Sequence, residues 1–228
     1  MNNAAEIPYI GIWYRPRATI RHIVDTDPRR GVIALVVFGA VLGAIGEWAT
    51  GNPTAFKIGT HSLGVFQAHT WTALNLVLIG VSPFVGIAIL YMYAALIRWA
   101  GGLIGGTGTA VELRAAYAWG LIPGVAGSVL YVIAGCLGWT HIVIPEPSKG
   151  HPSSLGIWTQ FLSPAFLPIG ILSLWGIVVR IKCFSEVHRF SAWKGLGAYL
   201  IVTLTMMGMG ALIGILIPLV VLVTHISL

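Results

Sequence analysis

The sequence predicts an all-α, polytopic membrane protein with five transmembrane helices, a cytoplasmic N terminus, an external C terminus and a short interfacial helix ahead of the first span. Three observations predict this class. Of the 228 residues, 57% are hydrophobic and only 9% are charged, a composition that a soluble domain of this size could not keep in solution. Five charge-poor runs are long enough to cross the hydrocarbon core. Most of the basic residues lie at those ends of the runs that would face the same side of the membrane.

The first predicted element is an interfacial helix at residues 16–24, within a cytoplasmic arm of residues 1–30. Pro16 stands at a helix-starting position, and Arg17 and Arg21 share one face of the helix while apolar side chains share another. Two interpretations stay open for this helix. It is either a basic anchor resting on anionic headgroups or a docking element for a cytoplasmic partner.

The five spans follow in order along the chain, each bounded by turn or charge signals. A helix needs about 20 apolar residues to cross the bilayer. The runs that meet this length are 31–49, 71–97, 110–138, 158–179 and 195–224. Pro83, Pro123 and Pro218 fall inside spans, so several helices are expected to be kinked.

The orientation follows from the positive charge, which reaches +6 with 13 Lys and Arg against 7 Asp and Glu. With the N terminus inside, all the basic residues except Lys57 and Lys149 fall on the cytoplasmic side, a split of 11 to 2 that the positive-inside rule expects. The charge therefore reflects membrane orientation and not binding to nucleic acid. Tryptophans also mark the predicted helix ends, namely Trp48, Trp71, Trp139 and Trp158 outside and Trp13, Trp99 and Trp193 inside.

Between the second and third spans runs a glycine-rich turn at 101–109. It lacks the Lys-Ser or Lys-Thr pair and the preceding strand of a nucleotide loop, so we interpret it as a flexible cytoplasmic turn. Thr109 and Glu112 form a Thr-x-x-Glu capping box that starts the third span. Three Gly-x-x-x-Gly pairs predict faces for helix packing or self-association: Gly39 with Gly43, Gly120 with Gly124, and Gly210 with Gly214.

Three polar residues within or beside the spans are candidates for a transport pathway or for a site facing lipid: Glu47, Asn75 and Tyr91. Four histidines, His61, His69, His141 and His151, lie in the outer connections, but no pair has the spacing of a zinc motif. No hydrolase elbow or zinc-protease motif is present. We therefore predict no catalytic residue, no metal and no cofactor.

Several short motifs resemble the Yip domain family, the five-span membrane proteins named for interacting with Ypt and Rab GTPases. The segment 105–123 is similar to the entry of the third span in the bacterial-type branch, 16–20 to its Pro-x-x-Thr start, and 184–188 to the connection before the last span. The resemblance covers the whole chain as one domain, 1–228. The motif positions, expected to serve packing or partner contact, are Pro16, Arg17, Thr19, Gly105, Gly106, Thr109, Glu112, Leu113, Tyr117 and Pro123.

The resemblance implies a non-enzymatic membrane adaptor or organiser, located in the cell membrane, or in the inner membrane if the source is a Gram-negative bacterium. Its expected partners are membrane lipid and other membrane proteins, or a second copy through the glycine faces, with no nucleic acid. Two alternatives stay open. One is a small-molecule or ion transporter or channel, and the other is a lipid-binding or scrambling protein.

Overall fold

The computed structural model describes residues 8–49, 57–58, 61–62, 68–137 and 166–226. These residues form helices and two short strands, in the order α1 (Pro8–Tyr14), α2 (Pro16–Thr26), α3 (Val32–Ala49), β1 (Lys57–Ile58), β2 (His61–Ser62), α4 (Ala68–Leu103), α5 (Ala110–Gly120), α6 (Ile122–Cys136), α7 (Phe166–Val187) and α8 (Ala192–Ile226). The two strands pair antiparallel. The positions Trp139, His141, Lys149, His151 and Trp158 lie outside the described residues, as does the predicted start of the fourth span.

Five stretches of helix are long and apolar enough to cross a membrane: Val32–Ala49, Ala73–Leu103, Ala110–Cys136, Phe166–Val187 and Ala192–Leu212. The predicted all-α architecture with five spanning helices is thereby confirmed. Their outward faces carry large apolar side chains such as Phe84, Leu174 and Leu204, each about two-thirds exposed or more. Exposed apolar faces of this kind suit contact with lipid chains, which are as apolar as leucine.

The third span is interrupted near its middle. Helix α5 ends at Gly120, Leu121 lies between the helices, and α6 begins at Ile122 with Pro123 in its first turn. The Leu121 amide donates to the Ala118 carbonyl at 3.2 Å, so the chain tightens by one residue there. Proline lacks the N–H that would continue the α-helical ladder, and its ring crowds the preceding turn. The expected proline distortion at Pro123 is therefore present.

Three helices run beyond the predicted charge-poor runs. Helix α4 continues past Arg98 to Leu103, and α7 continues past Arg180 and Lys182 to Val187. Helix α8 begins at Ala192, ahead of Lys194, and ends at Ile226. The Arg180 side chain explains why a cation inside α7 is tolerated. Its Nε donates to the Gly176 carbonyl at 3.3 Å, and its stem packs on Gly120, where a Cβ would come within 2.6 Å of the Arg180 Cγ. The charge is thus anchored between α5 and α7.

Close contacts of α3 with α4 and α6 depend on glycines outside the predicted pairs. A Cβ on Gly46 would lie 2.8 Å from the Tyr131 ring, one on Gly86 would lie 2.8 Å from the Ala40 Cβ, and one on Gly135 would meet the Ala49 backbone at 2.9 Å. Small residues allow backbones to approach closely in membrane bundles.

The predicted glycine pairs are used unequally. In the first two pairs one member each, Gly39 and Gly120, approaches a residue of another helix. The other four glycines of the pairs have no described atom within 4 Å of a Cβ position: Gly43, Gly124, Gly210 and Gly214.

The best-buried part of the described chain lies at one end of the bundle, where α1 and α2 pack on α5 and α7. The largest side chains there, Ile12, Ile20, Leu113, Trp119 and Phe184, are at most 1% exposed. This end also carries the turn 104–109 after α4 and the turn 188–191 after α7. Because it holds most of the arginines, we call it the basic end.

Candidate functional site

A buried histidine lies at the centre of the basic end. His188 follows α7 directly and is 2% exposed. Its Nδ1 accepts a hydrogen bond from the Gly108 amide at 3.2 Å, and its Nε2 lies 3.2 Å from the Ile97 carbonyl. Because an amide donates to Nδ1 and a carbonyl accepts from Nε2, both bonds together require the neutral imidazole with its proton on Nε2. The ring also stacks on Phe190, with centroids 5.0 Å apart.

The environment of His188 disfavours its charged form. Burial lowers the pKa of the imidazole, while the hydrogen bond to the Ile97 carbonyl and the negative charge of Glu112 act in the opposite direction and do not offset it. Protonation would also place a second N–H where Nδ1 now accepts from Gly108. The histidine therefore acts as a neutral, doubly hydrogen-bonded connector between the two turns.

Three glycines surround this ring, and we call Gly101, Gly106 and Gly108 the glycine socket. A Cβ at either of the first two would approach the His188 ring more closely than real Cβ atoms approach a neighbour, and one at Gly108 would lie 2.8 Å from the Val187 Cγ1. Only glycine leaves room for the imidazole at Gly101 and Gly106, and for the Val187 side chain at Gly108. The turn predicted to be flexible is thus packed against α7, and its glycines fit a side chain from 80 residues away.

The glycine-rich turn ends α4 through a Schellman motif. Gly105 has φ +86, the Gly106 amide donates to the Gly101 carbonyl at 2.8 Å, and the Gly105 amide donates to the Gly102 carbonyl at 3.2 Å. These two bonds satisfy carbonyls that would otherwise be unpaired at the helix end. Two motif positions predicted from sequence, Gly105 and Gly106, therefore have a backbone role.

Helix α7 also ends in a Schellman motif. Arg189 has φ +58, the Phe190 amide donates to the Ser185 carbonyl at 3.0 Å, and the Arg189 amide donates to the Glu186 carbonyl at 3.1 Å. A non-glycine residue in this left-handed region carries a conformational cost. The reversal after α7 places the exposed Arg189 side chain on the surface and directs Phe190 onto His188.

The capping box at the start of α5 is confirmed. The Glu112 amide donates to the Thr109 Oγ1 at 3.4 Å, and the Thr109 amide donates to the Glu112 Oε2 at 2.7 Å. Both turns of the basic end are therefore joined to helices whose ends are hydrogen-bonded.

Helix α2 packs on α5 and α7 at this end of the bundle. Pro16, Thr19, Ile20 and Ile23 are buried against the bundle. The apolar face of the predicted interfacial helix thus packs on protein and leaves its arginine face outward. Arg21 on that face pairs with Glu186 of α7.

A groove of about 570 Å³ opens between α2, the start of α5 and the end of α7. We call it the polar groove. Its charged lining residues are Arg17, Arg21, Asp25, Glu112, Glu186 and Arg189. Three cations and three carboxylates line it, so the groove is strongly charged but its positive and negative charges are equal in number. It lies at the basic end, beside the hydrogen-bonded helix ends described above.

The remaining predicted motif positions serve packing. Leu113, Tyr117 and Pro123 are buried, and the Tyr117 ring lies 4.9 Å from Tyr93, which in turn stacks on Phe184 at 6.0 Å. Among the motif residues, Arg17 is exposed and lines the polar groove.

The three candidate transport positions are not gathered in one place. Glu47 is exposed near the end of α3, Asn75 is buried in α4, and Tyr91 is half exposed, with the Arg114 guanidinium 4.7 Å from its ring centroid. Asn75 and Tyr91 are separated by about 24 Å along α4, from the rise of an α-helix. Within the described part of the chain, no three His, Cys, Asp or Glu side chains meet in a way that could hold a metal ion.

The role of His188 was not predicted from the sequence. The residue lies in the segment 184–188, but nothing in its spacing shows that its ring fits a turn 80 residues earlier. The three glycines were the available signal, since a socket must lack side chains where a ring lies against the backbone.

One of the comparisons with known proteins gives a match. A family model described as Yip1 domain matches residues 10–223, nearly the whole chain. No curated protein and no solved structure matches the chain.

Proposed function

Because this chain belongs to the Yip1 domain family, we propose that it is a non-enzymatic membrane adaptor or organiser that docks a cytoplasmic protein segment in the polar groove. That it is an integral, multi-pass membrane protein follows from its family and its five apolar helices. The finer role rests on one observation. A groove with balanced charges, lined by the exposed Arg17, Arg21 and Arg189, lies beside helix ends that pack around His188.

The cytoplasmic location of this groove is part of the proposal. The split of 11 basic residues to 2 supports an inside position for the basic end, which carries Arg17, Arg21 and Arg189. The C terminus would then lie outside. We place the protein in the cell membrane, or in the inner membrane of a Gram-negative cell.

The chemistry of the groove favours a charged protein segment as its occupant. Exposed Arg17 and Arg189 offer cations on the rim, while Asp25 offers a carboxylate. Charges on an interface rim select partners by complementarity and steer their approach. A partner segment with carboxylates facing the two arginines fits this pattern.

Helix α8 supplies a second contact surface for the adaptor function. Gly210 and Gly214 lie on its exposed face. Small residues at this spacing let a neighbouring membrane helix approach closely. We propose that another membrane protein, or a second copy of this chain, packs there.

The docking proposal is tested by crosslinking in native membranes. A photoreactive amino acid replaces Asp25 in the groove, or Lys194 as an exposed control position outside it. We expect a discrete protein adduct from position 25. Arg21→Ala and Arg189→Gly are each expected to lower its yield about fivefold, the effect of losing about 1 kcal/mol of interface interaction.

Arg189→Gly is the cleaner of the two variants, because glycine accepts the left-handed conformation of this position while removing the charge. Lys194→Ala is the matched charge control and is expected to leave the adduct unchanged. Adducts of equal yield from positions 25 and 194, or an adduct that neither arginine variant weakens, would contradict docking in the polar groove.

A further inference from the structure

A second groove lies between the last turns of α4 and the first turns of α5. It measures about 510 Å³. We call it the arginine groove, because an arginine of each helix lines it. The lining residues that carry the argument are Tyr91, Ala95, Arg98, Trp99 and Arg114.

The walls of the arginine groove carry positive charge. Arg98 comes from α4 and Arg114 from α5, and no carboxylate is among the residues that line the groove. The acid nearest to Arg114 in sequence, Glu112, lines the polar groove instead and forms the capping box with Thr109. Guanidinium groups match the geometry of phosphate oxygens better than any other side chain. The groove therefore suits an anion, and a phosphate best.

The Arg114 side chain is held in place at this groove. Its Nε donates to the Ala110 carbonyl at 3.1 Å, and its guanidinium carbon lies 4.7 Å from the centroid of the Tyr91 ring. The two terminal nitrogens of a guanidinium carry four further N–H donors. A planar donor group that already packs on an aromatic ring loses less freedom when it binds a ligand.

An exposed apolar stripe runs along α4 and ends at the arginine groove. Its members share one face of the helix, because they follow one another at spacings of four, three, four and three residues: Phe84, Ala88, Tyr91, Ala95 and Arg98. Trp99 lies beside the last of these and is 52% exposed. Indole rings prefer the headgroup level of a bilayer. The stripe therefore joins an apolar surface to the cations of the groove.

The groove also lies where two spanning segments end and begin. Arg98 is five residues before the end of Ala73–Leu103, and Arg114 is four residues after the start of Ala110–Cys136. At 1.5 Å per residue, both arginines lie about 6 to 8 Å from the end of a spanning segment. Basic pockets between membrane helices bind anionic headgroups at such positions. A soluble anion would use the two arginines alone, whereas a lipid would use the stripe as well.

We propose that the arginine groove is a binding site for an anionic glycerophospholipid, with the headgroup phosphate on Arg98 and Arg114 and an acyl chain along the α4 stripe. The site goes beyond the adaptor function and does not depend on it. The arginine groove and the polar groove share no lining residue, so each can be altered without the other.

The test measures lipid retention on the full chain in an uncharged detergent by native mass spectrometry. Phosphatidylglycerol and phosphatidylcholine with identical acyl chains are offered in turn, and glycerol 3-phosphate is added as a headgroup without chains. We expect preferential retention of phosphatidylglycerol and no comparable retention of glycerol 3-phosphate. Arg98→Gln and Arg114→Gln are each expected to lower the phosphatidylglycerol adduct about fivefold, the effect of one cation near an anionic surface.

Arg30→Gln is the matched control, since Arg30 is an exposed arginine just ahead of the spanning helix α3 and does not line the arginine groove. Its backbone carbonyl accepts from the Trp119 indole at 3.1 Å, and this bond does not depend on the side chain that is changed. The control is expected to retain the lipid as the unaltered chain does.

Arg98 is exposed, so Arg98→Gln keeps the test valid if the Arg114 variant fails to fold. Equal retention of the two lipids, equal binding of glycerol 3-phosphate, or an equal loss in Arg30→Gln would each overturn the proposal. A second protein chain held in place of the lipid, and lost in Arg98→Gln, would overturn it as well.

Discussion

Two adjacent glycines in the last turn of α4 are expected to respond oppositely to the same substitution. Gly101 belongs to the glycine socket, and a Cβ there would run into the His188 ring. Gly102 is exposed and has no described atom within 4 Å of a Cβ position. Gly101→Ala and Gly102→Ala add the same methyl group to the same helix. The pair therefore isolates the contact with the histidine from helix propensity.

The magnitudes follow from the geometry around His188. Alanine in place of an exposed helical glycine contributes about 1 kcal/mol of stability, so Gly102→Ala is expected to be stabilising by that amount. Gly101→Ala gains the same term. It loses about 2 kcal/mol to overpacking and about 2 kcal/mol to the displaced hydrogen bonds of a buried ring. The net loss is about 3 kcal/mol, so the two variants differ by about 4 kcal/mol.

Thermal unfolding of the purified chain in detergent measures this difference. At about 2 to 4 °C per kcal/mol for a chain of this size, Gly101→Ala is expected to melt about 6 to 12 °C lower and Gly102→Ala slightly higher. His188→Ala supplies the decisive cycle, because removing the ring makes room for the new methyl group. Additive effects of Gly101→Ala and His188→Ala, or equal melting temperatures for the two glycine variants, would refute the socket.

Three further predictions concern the same end of the bundle. Burial lowers the pKa of His188 below its unfolded value of about 6.5, so the stability that neutral His188 contributes is complete above that pH and declines as the pH falls below it. Thermal melts between pH 8 and pH 5 should show this decline in melting temperature. The control variant His22→Gln, at an exposed position, should show the same decline. Both Arg189 and Gly105 have positive φ, so Arg189→Gly should raise the free energy of unfolding by about 1 kcal/mol and Gly105→Ala should lower it by about as much. Denaturant melts in which Gly105→Ala is more stable than Arg189→Gly would contradict the effect of positive φ. Thr109→Ala should lower stability by about 1 kcal/mol through loss of the cap, and Thr109→Ser should restore it in the same melts.

Much of the fold was predictable because the properties that predict it are local. A charge-poor run of sufficient length is visible in sequence, and the capping box of Thr109 and Glu112 involves residues three apart. The proline distortion at Pro123 is local too, since it depends on the missing amide of one residue. The course of α7 past Arg180 was not predictable, because the stem of that cation packs on Gly120 of another helix.

The candidate site was harder to predict from the sequence, because it depends on contacts between residues far apart in the chain. His188 gains its role from Gly101, Gly106 and Gly108, which approach it only in the folded bundle. In sequence the glycines indicate a turn, and the histidine indicates a helix end. Neither pattern carries information about the other. Glycines in a turn predict flexibility when the side chains packed against them are not known, and this is why the turn was predicted to be flexible.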